Sequence, residues 1–439
     1  MKTELLINKL KEEVQLATGC TEPVAVALAV AHAYRLVGGE VKAIKLVVSS
    51  NVFKNAKAVG IPGAERTGVA MAALLAVSMM RPKLDLTIFS SLRKKEVAKA
   101  LLLEETVDLQ VEVDYTFPPV RIEVLVNTDR GRAKAIISKK HTGLVYLEKN
   151  NEILLDQREE ANEAQASREF LLSNYSLEDI LEASLRLDPE AISFLLEGIE
   201  VNVKVALAGL KLNSGLKIGH MWNNLNRKGL LGRELTMEIA KYTAAACDAR
   251  MSGLELPVMS SAGSGNHGLI AIIPLALVAR EFDSSRKDLI YALAISHLVT
   301  IYIKEEIGRL SPLCGCSVAA GAGVGAGITY LLQGNMEQMV TTIKNVMASL
   351  AGMVCDGGKV GCALKLCISA TTAWWNALLA LEGLAVPSGN GIVADDLQQS
   401  ITNLRRLNSE GMKDVDRVVI SILGAADQQT KAGNCLSWN

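Results

Sequence analysis

Aromatic side chains are scarce in this chain: they make up 4% of 439 residues, while apolar residues of all kinds reach 49%. The apolar content is therefore mostly Ala, Val, Leu and Ile, the composition of closely packed helices. Neither sign of charge dominates, and a net charge of −1 gives no electrostatic basis for nucleic acid or an acidic membrane surface as partner. No charged-then-apolar leader ending in a small-residue cleavage site opens the chain, so a cytoplasmic protein is expected. There is no CxxC pair of the kind that marks structural zinc, and no fixed-period repeat. The longest uncharged run, about residues 310–336, is mostly Gly and Ala, which insert weakly into bilayers, so the mean hydropathy of +0.24 is read as core and not as membrane. The length leaves room for two domains, or for one large one.

Cysteine is where the sequence becomes specific. Five of eight cysteines, Cys314, Cys316, Cys355, Cys362 and Cys367, fall in one stretch among glycines and small residues. In a reducing compartment such a group points to metal or catalysis more than to disulfides. Thiolates also hold iron–sulfur clusters. Between Cys355 and Cys362 runs Asp-Gly-Gly-Lys-Val-Gly, and its paired glycines argue against a continuous helix. The segment reads as a tight loop that lets the backbone approach an inorganic centre. The competing reading is five small buried hydrophobes in packed helices.

Near the start, TGCTEP (residues 18–23) separates two helical patterns, with Gly19 ending the first, Thr21 capping the second and Pro23 in its first turn. Cys20 thus lies just before a helix N-terminus, where a thiol's pKa is expected to fall. An apolar strand over 41–51 leads into a polar loop containing Asn51, Lys54 and Asn55, then a helix over about 64–80; this strand–loop–helix order could hold a carboxylate. A strand is expected at 84–90, a helix at 93–105, and alternating strands from 107 to about 156. A polar stretch over 156–173 reads as a linker. Beyond it helices are expected at 176–187, 188–211, 216–227, 230–251, 268–281, 285–305, 316–333, 335–354, 363–383 and 410–425. The fold class is α+β, with residues 1–165 forming a mixed α/β substrate-side part packed on a helical part, 166–439, that holds the cysteine cluster.

In the helical half, PVMSSAGSGNHG (257–268) contains a formal GxGxxG. No βαβ unit surrounds it, so it is not read as a dinucleotide site. It reads as a glycine loop opening onto an apolar helix, with Ser264, Asn266 and His267 at its mouth as candidates for binding an anionic substrate group.

Taken together, TGCTEP, SAGSGNHG, CGCSVAAGAG and CDGGKVGC, in this order and over nearly the whole chain, resemble the L-cysteine desulfidase family, which is related to the iron–sulfur L-serine dehydratases. The resemblance implies conversion of L-cysteine to pyruvate, ammonia and sulfide with a [4Fe–4S] cluster and without pyridoxal phosphate, for which no lysine stands in a suitable motif. It implies that Cys20 is the base for the α-proton and that Cys355 and Cys362 are cluster ligands. The third ligand is Cys316, matching a Cys-Ser-x-Ala-Ala pattern of serine dehydratases, with Cys314 as the alternative. The SSNVFKN loop stands where serine dehydratases carry a serine-rich substrate loop, but its residues differ. The expected partner is a small amino acid; the Ala/Gly-rich helices allow a homodimer. The alternatives are a serine dehydratase of the same chemistry and a non-catalytic helical protein with buried thiols.

Overall fold

The computed structural model describes residues 2–80, 86–90, 92–158 and 170–433, with side chains to residue 424. It is α+β. One six-stranded sheet runs in the order Asp108–Asp114, Val41–Ser49, Arg121–Thr128, Gly131–Ser138, Leu144–Lys149, Glu152–Asp156. The Val41–Ser49 and Asp108–Asp114 pair is parallel and all others are antiparallel. The strands alternate buried and exposed positions because the sheet is covered on one face only. That cover is supplied by Thr21–Val37 and Val69–Met79, whose Ala, Val and Leu side chains are almost all buried. The open face carries ion pairs: Glu123 pairs with Arg121 on its own strand and, at 3.0 Å, with its diagonal neighbour Lys134 on the next strand.

The second core is helical. Arg286–Ile307 and Cys316–Leu331 cross closely, and Leu235–Met251, Gly265–Glu281, Met336–Leu350 and Cys362–Leu381 complete the body. The first helix, Thr3–Glu13, belongs to this core through Leu6, Leu10 and Val14. Leu16–Thr18 then pairs antiparallel with Pro257–Met259. The chain therefore starts in the helical body and crosses to the sheet at Gly19–Cys20. Among the described residues one helix, Cys362–Leu381, is long and apolar enough to cross a membrane, and 56% of its apolar window is buried within the protein.

Several expectations change. The polar loop after the first long strand is a helix, Ser50–Ala56, because the Ser49 hydroxyl accepts from Val52 N–H and caps it. The helix expected from residue 64 starts at Val69, after a small hairpin pairing Gly60–Ile61 with Arg66–Thr67. Described residues 86–90 form turns and no strand; residues 81–85 and most of the linker, 159–169, lie outside the described residues. A helix not expected, Leu397–Arg406, is capped by Asp396.

Candidate functional site

Cys20 stands where the two bodies meet. Its carbonyl accepts the first turn of Thr21–Val37, and its side chain, 8% exposed, faces a cavity of about 100 Å³. The thiol is not acidified as its helix-end position suggested. Burial pushes its pKa up to about 12, and the nearby Arg250 guanidinium opposes this only in part. Glu22, one residue into the helix, adds negative charge and accepts from Asn55 Nδ2 at 3.0 Å and from the Thr21 hydroxyl.

The same cavity has a thiol wall. Cys314, Cys316, Cys355 and Cys362 all line it. The two bends that carry them are stitched together by backbone: Cys314 N–H donates to Met353 O (2.9 Å) and Cys355 N–H to Pro312 O (2.7 Å), around a Leu313–Val354 bridge. Cys316 starts a π-helical turn, Cys316–Ala320, with Gly321 N–H reaching back to Cys316 O. Such turns widen a helix and often occur at functional sites. Gly357, at φ +98°, brings the second bend so close to Ser50–Ala56 that a Cβ there would lie 2.3 Å from Lys54 O. Gly315 likewise leaves room for His267, whose Nε2 would be 2.5 Å from a Cβ at that position.

The electrostatics of this wall follow from burial and neighbours. The neighbouring Cys314 and Cys316 thiols interact, which holds Cys314 below the ordinary thiol range and Cys316 above it. Burial raises Cys355 and takes Cys362 up to about 11. Lys304, 3% exposed, gives Nζ to Ser311 Oγ at 3.1 Å; burial lowers its ammonium to about 8, against the attraction of Cys355, Cys314 and Cys316. Lys365 donates to Val354 O at 2.7 Å and pairs with Asp356, fixing the second bend from its other side.

The third side is the 257–268 loop. Buried Asn202 braces it, accepting from Met259 N–H (2.8 Å) and donating to the carbonyls of Met259 and Gly268. Gly263, Ser264, Asn266 and His267 all line the cavity. His267 Nδ1 lies 3.3 Å from Ser261 O. A carbonyl only accepts, so that nitrogen carries the proton and Nε2 presents a lone pair toward the cavity. Burial and Lys304 hold the ring neutral, with its pKa lowered to about 3.

Of the substrate-loop candidates, Asn55 lines the cavity but Asn51 and Lys54 do not. Both reach Asp416 at the start of Val415–Gly433, and Lys54 Nζ also donates to Cys355 O at 2.9 Å. The helical turn at Ser50–Ala56 aims them away from the cavity. Cys247 contacts Asn266 Oδ1 at 3.8 Å, Cys367 is buried in its helix off the cavity, and Cys435 lies outside the described residues.

Sequence reasoning missed Arg250, Arg309 and His141 as lining residues. Arg309 pairs with Glu13, from the first helix. His141 comes from the turn between two sheet strands, and its Nε2 is buried without a partner among the described residues. Arg250 had one legible signal, a lone cation on the buried face of the AAACDARM run. The other two are brought in by tertiary contacts alone.

The donor set fits an iron–sulfur group. Four soft sulfur donors share one wall, and buried Lys304 beside them would balance thiolate charge. Among the described residues no three His, Cys, Asp or Glu side chains gather closely enough for a single metal ion. A cluster takes one thiolate per iron, so its ligands stand wider apart than those of one ion.

Comparison with known proteins gives the family. The family profile described as serine dehydratase alpha chain matches residues 85–421. A UPF0597 protein of Alkaliphilus oremlandii is 42% identical over 426 residues, covering 96% of this chain and 98% of that protein. UPF0597 proteins of Clostridioides difficile and Bacteroides thetaiotaomicron are 41% and 37% identical, covering 95% and 98% of this chain and 98% of each relative.

Proposed function

The chain belongs to the serine dehydratase alpha-chain family, and from that premise we propose that it is a lyase that eliminates sulfide from L-cysteine. One observation carries the reading. Cys20 and both cysteine bends, about 300 residues apart in sequence, line one small cavity together with an uncapped helix end. In the reaction the α-proton passes to the Cys20 thiolate, the Cβ–S bond breaks, and sulfide departs with its electron pair. The resulting aminoacrylate tautomerises to an imine, and water hydrolyses it to pyruvate and ammonia. Cys355, Cys362 and either Cys316 or Cys314 would hold a [4Fe–4S] cluster, which when bound supplies a Lewis-acidic iron with an open position.

This chain's own residues do the rest. Cys20 pays for its burial in availability: little of it is ionised near neutral pH, but what is ionised is a strong base. His267 offers an unprotonated Nε2 to a donor on the substrate. The seven described cysteines are free thiols, the form in which they can hold an iron–sulfur group. The family description itself favours L-serine as the second candidate substrate. Anaerobic purification, iron and sulfide analysis, and kcat/KM for sulfide or ammonia release from L-cysteine and L-serine test the reading. An iron-bearing protein faster on L-cysteine is expected. A protein that takes up no iron on anaerobic reconstitution and makes no pyruvate from either amino acid overturns it.

A further inference from the structure

Arg250 is 4% exposed, yet no carboxylate pairs with it among the described residues. Nη1 donates to Asn266 Oδ1 at 2.9 Å and Nη2 to Gly19 O at 2.8 Å, both neutral acceptors; Nε is buried with no partner. A guanidinium removed from water without an anion is expensive to keep. Other buried cations of the region are answered. Lys54 has Asp416, Lys9 has Glu305 at 2.8 Å, and Lys304 faces the thiol wall.

A second, independent feature meets Arg250 at the same place. Gly265–Glu281 is 17 residues long, its Ser264 N-cap makes no side-chain cap bond, and its first turn holds no acid. The first amide bonded within the helix is that of Gly268, to Ser264 O. The earlier amides have no helical carbonyl to donate to and carry the positive end of the dipole. The guanidinium packs directly on this end: a Cβ on Gly265 would lie 2.5 Å from Arg250 Nε. Both features line the cavity that holds Cys20.

We propose that Arg250 and the amide end of Gly265–Glu281 form the seat of the substrate's α-carboxylate, with Arg250 as the residue that selects α-amino acids. The seat requires only a carboxylate; that the ligand is cysteine rests on the elimination reading. Arg250 Nη2 is bonded to the carbonyl of Gly19, the residue before Cys20, and both side chains line one cavity, so a carboxylate held here sets the adjacent Cα–H near that thiol.

The test is calorimetric titration of the anaerobically prepared, iron-loaded protein with L-alanine, which lacks a leaving group, and with ethylamine, which also lacks the carboxylate. Arg250→Gln is expected to weaken L-alanine binding roughly 10- to 100-fold, the range for lost charge-assisted hydrogen bonds. Ethylamine binding should not change, and KM for L-cysteine should rise more than kcat falls. Arg250→Lys, which keeps the charge but loses the fork, gives a smaller loss and decides the matter if the glutamine variant does not fold by near-ultraviolet circular dichroism. Unchanged L-alanine binding in these variants overturns the proposal, as does a parent protein that does not bind L-alanine at all. Slower iodoacetamide alkylation of Cys20 with L-alanine binding intact also overturns it, making Arg250 a partner of the thiol alone. Arg250-dependent L-alanine binding by a protein that releases neither sulfide nor ammonia supports the seat and defeats the elimination reading.

Discussion

Lys54 and Arg250 are both buried cations within reach of a functional cysteine, and they have opposite surroundings. Lys54 is closed off: Asp416 neutralises it, and its remaining donor capacity goes to the backbone that carries Cys355. Arg250 is open: neutral acceptors take two of its groups, and a third faces no partner. A charge answered by the fold builds structure, whereas one left unanswered beside a cavity is available to a ligand. Sequence alone favoured Lys54 for the ligand, because it sat in a polar segment beside asparagines.

The contrast can be broken most sharply by stability. Asp416→Ala strands the Lys54 ammonium and is expected to cost about 3 kcal/mol in urea unfolding, whereas Arg250→Met should unfold within about 1 kcal/mol of the parent. Equal losses would erase the distinction. Replacing the pair together, Lys54→Met with Asp416→Leu, should recover most of the loss, since no charge is then left alone.

Activity against pH gives the next effect. The Cys20 pKa is raised to about 12, so its thiolate fraction grows as pH rises anywhere below that value. The kcat/KM for elimination is expected to climb by about tenfold per unit from pH 7 to 9, and a plateau below pH 8 would contradict Cys20 as base. Arg250 opposes the effect of burial on this thiol, so Arg250→Met moves the climb to still higher pH. The smallest effect concerns a thiol that the fold has already satisfied. Cys367 packs in its helix off the cavity, so Cys367→Ala should leave iron content unchanged and cost about 1 kcal/mol. Cys362→Ala, by contrast, should lose the iron.

Much of the site was legible because it is written locally. Glycine and proline around Cys20 mark a helix boundary, and the DGGKVG run between two cysteines marks a bend. What stayed hidden depends on distant segments. Leu16–Thr18 and Pro257–Met259 are three residues each, too short to show alternation, and exist because they find each other. The Leu397–Arg406 helix buries Leu397, Ile401 and Leu404 at helical spacing, but glutamine, asparagine and arginine dominate its composition. The ionisation of Cys20 was misjudged because a helix end is visible in sequence and burial is not; burial is the larger influence here.

The backbone rungs joining residues 312–314 to 353–355 have a mechanical consequence. Thermal drift in one bend is transmitted to the other, so sulfur-bearing segments from remote parts of the chain travel as a single jaw. Anything gripped by that jaw is carried along without a change of bite, and Cys20 is tied to the same helical body through the Gly19 carbonyl's bond to Arg250.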